Sequence, residues 1–212
     1  MVSAVDDGVG VLLDKLEELE IQENTMIFFL SDNGGPYKSN GSINLPLREG
    51  KGSLYEGGIR VPFAMQWPGK IPSGQVFDAP VISLDIFATV AEYAGTKPVN
   101  ALDGVNIVPY LLGQEQGVPH ENLFWRIFDS DSYAVRSGDM KLVNMNGIQD
   151  ELYNLTEDIG EKHEMDSEEE MQRLIIENKR WESMMMDPVF LGLKQNDEYN
   201  ELHPRRFETE PY

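Results

Sequence analysis

A short apolar run that ends abruptly constrains this chain more than anything else in it. Thr25–Leu30 (Thr-Met-Ile-Phe-Phe-Leu) is apolar on both faces. A strand with one wet face alternates, so this pattern predicts a central strand of a parallel sheet, covered by helices on each side. Upstream, residues 3–20 place Val5, Val9, Leu12, Leu13, Leu16 and Leu19 on one face at helical spacing. Ser3 is the expected cap, with Asp6 and Asp7 in the first turn. A helix feeding a buried strand is half of a βαβ unit, which predicts an α/β fold. The strand stops at Ser31-Asp32-Asn33-Gly34-Gly35, and a polar loop follows to about Gly58. A loop of that length is uncommon unless it is functional.

Further along, Arg60–Trp67 reads as a strand, and Ser83–Ala94 as an amphipathic helix closed by Gly95 at its C′ position. Residues 96–121 are loop-rich. The character then changes: Asn122–Ile127, Ser132–Arg136, Lys141–Asn144 and Glu151–Asn154 alternate and are separated by turn residues, which predicts an antiparallel meander. Glu168–Met185 reads as a closing helix, with Asp166–Glu170 as its solvated N-terminus. From Asp187 no period is visible. The organisation expected is an α/β part over 1–120 and a small C-terminal subdomain over 121–212, with antiparallel strands and a helix.

Charge narrows the partners. With 37 acidic against 17 basic side chains the net charge is −20, so neither nucleic acid nor an anionic membrane is expected to bind by charge alone. No apolar run reaches membrane-spanning length. No basic segment followed by an apolar one opens the chain, and the compartment stays open. Cysteine is absent, which excludes disulfides, thiolate zinc sites and a Cys nucleophile within these residues. An acidic surface would repel an anionic substrate unless local cations focus it.

Two motifs carry such focusing. Asp32-Asn33, directly after a buried strand, lies where open α/β sheets place ligands. Its carboxylate and amide oxygens suit a hard divalent cation, and Asp-Asn-Gly-Gly is equally good turn chemistry. Lys51, in Gly50-Lys51-Gly52-Ser53, offers a compact ammonium to an oxyanion where glycines let the backbone approach. It is no Walker loop, since Leu45 stands where the first glycine is required. Glu56 and Arg60 in Tyr55-Glu56-Gly57-Gly58-Ile59-Arg60-Val61-Pro62 are expected to form a buried ion pair bracing the loop. His120 and His163 lie in polar segments expected to be exposed, leaving His203 as a substrate-contact candidate. Met184-Met185-Met186 is expected to fill core or interface.

Taken together, these stretches resemble the C-terminal half of the type I, formylglycine-dependent sulfatases of the alkaline phosphatase-like superfamily. The match runs through Ser31-Asp32-Asn33-Gly34, then Gly50 to Pro62, Trp67-Pro68-Gly69, Ser83 to Thr89 and Leu102-Asp103-Gly104. It closes with Lys141-Leu142-Val143 and Glu151-Leu152-Tyr153-Asn154-Leu155. The resemblance implies hydrolysis of sulfate esters on a small molecule or carbohydrate. It implies Asp32 and Asn33 as ligands of Ca²⁺, and Lys51 as a catalytic lysine contacting the sulfate. It also requires a formylglycine made from a Cys or Ser in a C/S-x-P-S-R motif, which this sequence lacks. The chain alone is therefore expected to be inactive, with a weak or empty calcium site. Its Val5–Leu19 stripe and Met26–Leu30 strand are expected to be partly uncovered, a route to homo-oligomers. A phosphodiesterase or phosphonate hydrolase of the same superfamily and a non-catalytic binding or assembly module are the alternatives.

Overall fold

In a computed structural model, residues 1–36, 41–186 and 201 are described. In chain order the elements are α1 (Val2–Glu18), β1 (Ile27–Leu30), α2 (Glu56–Ile59), β2 (Phe63–Gln66), α3 (Leu84–Tyr93), α4 (Val108–Leu111), β3 (Asn122–Ile127), β4 (Ser132–Ser137), β5 (Met140–Asn144), β6 (Asp150–Asn154) and α5 (Glu168–Glu182). Short 3₁₀ turns occupy Gln22–Asn24 and Phe128–Ser130. The chain forms two compact units, one from 1–31 with 62–120 and the other from 32–61 with 121–212.

In the first unit, α1 begins at Val2 with Met1 as its cap residue, so Ser3 lies inside the helix and no acid falls in the first turn. None of its residues is buried, and Val5, Leu12 and Leu19 are more than half exposed. The predicted parallel pairing of the apolar strand is corrected. Among the described residues β1 pairs antiparallel with β2 alone, from Ile27 opposite Gln66 to Leu30 opposite Phe63. An apolar run reports burial on two faces and carries no information about pairing direction. Here Phe29 is half exposed. Gly95 does take the left-handed conformation after α3, at φ 68°.

The 96–121 loop is pinned by α3. Asp85 is fully buried and accepts from the amides of Ile82 and Val105, both at 2.8 Å. Thr89 Oγ1 accepts from the Ile107 amide at 3.1 Å. His120, expected at the surface, is instead buried with its Nε2 2.8 Å from Asp85. A polar sequence neighbourhood said nothing of a carboxylate 35 positions earlier that would satisfy the ring.

The second unit contains the meander, with spatial order β3-β4-β5-β6. Alternation sends Val135, Leu142 and Leu152 to one face, where they pack with Leu174 of α5. It sends Ala134, Val143 and Tyr153 to the other, where Leu54 and Tyr55 cover them. Ser167 caps α5, accepting from the Glu170 amide. Trp181 stacks on Phe124 with ring centroids 5.2 Å apart. The helix ends at Glu182, which leaves Met184 and Met186 largely exposed rather than in the core. Residues 56–59, expected as loop, form the single helical turn α2. No helix among the described residues is long and apolar enough to cross a membrane.

Candidate functional site

The site is a stack of glycine crossings. The Gly34 amide donates to the Gly58 carbonyl at 2.9 Å, and the Gly57 amide to the Arg48 carbonyl at 2.8 Å. A Cβ on Gly34 would overlap the Gly57 carbonyl, and one on Gly50 would overlap the Gly35 carbonyl. Only glycine allows backbones to pass so closely. The turn that carries Asp32 and Asn33 is thereby laid against the loop that carries Lys51.

Within the turn, the Asn33 amide donates to Asp32 Oδ1 at 3.0 Å, and Asn33 Nδ2 to the Gly34 carbonyl at 2.9 Å. Asp32 and Lys51 are both exposed. Asn44, which the sequence did not single out, joins the two segments. Its Nδ2 donates to the carbonyls of Gly35 and Glu49, each at 2.8 Å, and its Oδ1 accepts from the Gly35 amide at 3.0 Å. His203 lies outside the described residues, and His163 is exposed as expected.

Beneath the loop lies a buried ion network. Lys141 Nζ, with no exposed surface, sits 2.8 Å from Glu56 Oε1 and 2.7 Å from Glu161 Oε1. The Glu56 amide donates to Glu161 Oε2 at 2.6 Å. The expected Glu56–Arg60 pair forms as well, at 3.5 Å, but it is not buried on the arginine side, where half the side chain lies in water. A buried carboxylate takes the cation that is buried with it. Burial, opposed by Lys141, pushes the Glu161 carboxyl above its ordinary value.

Arg48 provides a second anchor. Its Nη1 donates to Glu151 Oε2 at 3.0 Å, to the Tyr153 hydroxyl at 2.7 Å and to the Glu161 carbonyl at 3.1 Å. Its guanidinium lies 3.7 Å from the Tyr55 ring centroid. Burial raises the Glu151 carboxyl's affinity for a proton. The hydroxyls of Tyr153 and Tyr55, with Arg48, outweigh that and hold it below the ordinary carboxylate value. Burial first, and then the hydrogen bond to Glu151, pushes the Tyr55 phenol up. A groove of about 600 Å³ passes Arg48, Glu49, Tyr153 and Lys162.

Lys141 did have a signal in the sequence, because period-two alternation in β5 puts it on the same face as buried Val143. Asn44 had none: a lone amide in a loop looks alike whether it faces solvent or bridges two segments.

Comparison with known proteins identifies the family. The sulfatase family model matches residues 1–96, and the model described as N-sulphoglucosamine sulphohydrolase, C-terminal, matches 50–185. The chain belongs to the sulfatase family. Rat (Rattus norvegicus) steryl-sulfatase is 39% identical over 132 residues, covering 58% of this chain and 23% of the relative. N-acetylgalactosamine-6-sulfatase of Homo sapiens is 39% identical over 116 residues, covering 52% and 22%. Among solved structures, Ps i-CgsB in complex with k-i-k-neocarrahexaose superposes with a TM-score of 0.83 at 34% identity, over 95% of this chain and 46% of that one. The phosphonate monoester hydrolase of Agrobacterium radiobacter shares the fold, with a TM-score of 0.64 at 23% identity over 87% and 39%. The fold is that of the alkaline phosphatase-like sulfatases, with a small four-stranded C-terminal sheet and its helix. The chain spans 23% of the length of the first of these curated relatives and 46% of the first solved structure.

Proposed function

We propose that this chain supplies sulfate- and cation-binding groups to the hydrolysis of sulfate esters, on a carbohydrate or related small molecule. In this reading Asp32 and Asn33 hold Ca²⁺, and Lys51 holds the sulfate. The observation that carries it is the crossing of the Asp32–Gly35 turn and the Gly50–Gly52 loop at Gly35 and Gly50.

The donor chemistry fits a hard cation as part of a shell. A carboxylate and an amide oxygen are adjacent, yet no group of three or more His, Cys, Asp or Glu among the described residues could hold a metal. Two side chains fall short of the about six to eight oxygens that Ca²⁺ takes. When bound, the ion would supply polarisation of sulfate oxygens. Lys51, on a loop anchored at Arg48 and Glu56, offsets charge on the sulfate and on the departing oxygen. Glycines on both sides let the ammonium and neighbouring amides reach the same oxyanion. The local cationic charge also offsets the repulsion expected from a chain of net charge −20. The groove beside Arg48 and Tyr153 is large enough for a sugar ring.

The formylglycine finds no match in this chain, which has no cysteine and no Ser followed by x-Pro-x-Arg. No step through that group is assigned to these residues, and the isolated chain is proposed to be inactive. Two experiments test the reading. Titrating CaCl₂ and sodium sulfate should shift the amide resonances of 32–35 and 50–52 at about millimolar concentration, and Lys51→Ala should abolish the sulfate response. Turnover of an aryl sulfate by the 212-residue chain, above blank and increased by Ca²⁺, would overturn the proposed inactivity.

A further inference from the structure

The Asn44 side chain spends its hydrogen bonds on two other segments. Its backbone already makes a local turn, accepting from the Leu47 amide at 2.9 Å. The side chain is therefore not needed for that turn, and all three of its bonds leave it: two to Gly35 and one to Glu49. Gly35 follows Asp32–Gly34 directly, and Glu49 is two residues from Lys51. A cluster of this kind fixes a spacing, because an amide group is planar and its three partners cannot move independently.

Two neighbouring features fit such a clamp. Glu49 adopts φ 58°, a left-handed conformation that costs a β-carbon residue about 1 kcal/mol or more, and its carbonyl is the one that Asn44 Nδ2 holds. Gly50 comes next, and a Cβ there would lie 2.6 Å from Asn44 Nδ2. Leucine, valine or even alanine at 50 would push the clamp apart.

We infer that Asn44 is the positioning residue that sets the Asp32–Asn33 turn against the Lys51 loop, so that one anion can engage both. The inference rests on the sulfate- and cation-binding reading above. It has a thermodynamic signature: Ca²⁺ bound at one segment should tighten sulfate binding at the other, and the coupling should depend on the clamp while the separate affinities do not.

The test uses the whole chain as wild type, Asn44→Ala and Asn44→Asp. Alanine removes all three bonds, whereas aspartate retains the acceptor for the Gly35 amide and loses both donors. Without ligand, exchange of the Gly35 amide should accelerate at least about tenfold in Asn44→Ala and remain slow in Asn44→Asp, with far-ultraviolet circular dichroism unchanged. With CaCl₂ and sodium sulfate, the wild type should show about fivefold or greater mutual tightening. Both variants should bind each ion alone as before and lose that tightening. Unchanged Gly35 exchange in Asn44→Ala would show that no clamp exists. Lost protection with coupling intact would overturn the positioning role. If neither ion shifts wild-type resonances of 32–35 or 50–52, the binding reading falls and this inference with it. Faster Gly35 exchange in Asn44→Ala would then reveal a purely local brace, which keeps the two failures distinguishable.

Discussion

Lys141 is the residue on which most depends. It has no exposed surface and serves two buried carboxylates, so Lys141→Met should cost about 3–5 kcal/mol in urea unfolding, because it strands Glu161 without a cation and leaves Glu56 only the half-exposed Arg60. The triple variant Lys141→Met, Glu56→Gln, Glu161→Gln should recover part of that loss. Glu151 governs the acid limb. Its carboxyl is held below the ordinary value of 4.5, so its contribution is fully present above that pH and is lost as pH falls through the depressed folded-state value. Glu151→Gln should therefore lower stability near neutrality by about 2 kcal/mol and flatten the decline below pH 4.5, as measured by denaturation midpoints across pH. At this scale the sequence was half legible. Asp32, Asn33 and Lys51 stood out because their neighbours are glycines and a strand end. Glu56 stood out too, and its near neighbour Arg60 does pair with it, but its buried partner, Lys141, lies 85 positions away and was missed. Proximity along the chain is a poor guide to which charges are buried together.

Between elements, the meander was the most legible part, since four short alternating runs between turn residues leave few other arrangements. What holds it is α5, through Leu174 against Val135, Leu142 and Leu152. Leu174→Ala should cost about 2–5 kcal/mol, read as a lower unfolding midpoint with the same denaturant slope. The conservative Leu174→Met should cost under about 1.5 kcal/mol. β1 was located correctly but given the wrong partner direction, because alternation and its absence speak only of faces. α2 was missed altogether: four residues containing two glycines have no helical propensity worth reading. That turn is imposed by its surroundings, with the buried Glu56 fixed to Lys141 and the glycine backbones pressed on Arg48 and Gly34.

For the molecule as a whole, the apolar stripe of α1 is exposed in a helix that buries none of its 17 residues. The chain should therefore bind an apolar dye and self-associate at micromolar concentration. Val5→Glu with Leu12→Glu should reduce both, as followed by fluorescence and sedimentation velocity, while leaving helix content unchanged. The anchors of the Lys51 loop also set an order of events during synthesis. Arg48 waits for Glu151, 103 residues later, and for Glu161, 113 residues later. At a translation rate of about 5–20 residues per second, the loop leaves the ribosome several seconds before the distant partners of Arg48 exist. Until β6 and the turn after it emerge, Glu56 and Arg48 are ordinary solvated charges on a slack tether. A message cut short between the codons for Lys51 and Lys141 would thus yield a protein that contains Asp32, Asn33 and Lys51 but none of the Lys141, Glu151 and Glu161 side chains that anchor their loop.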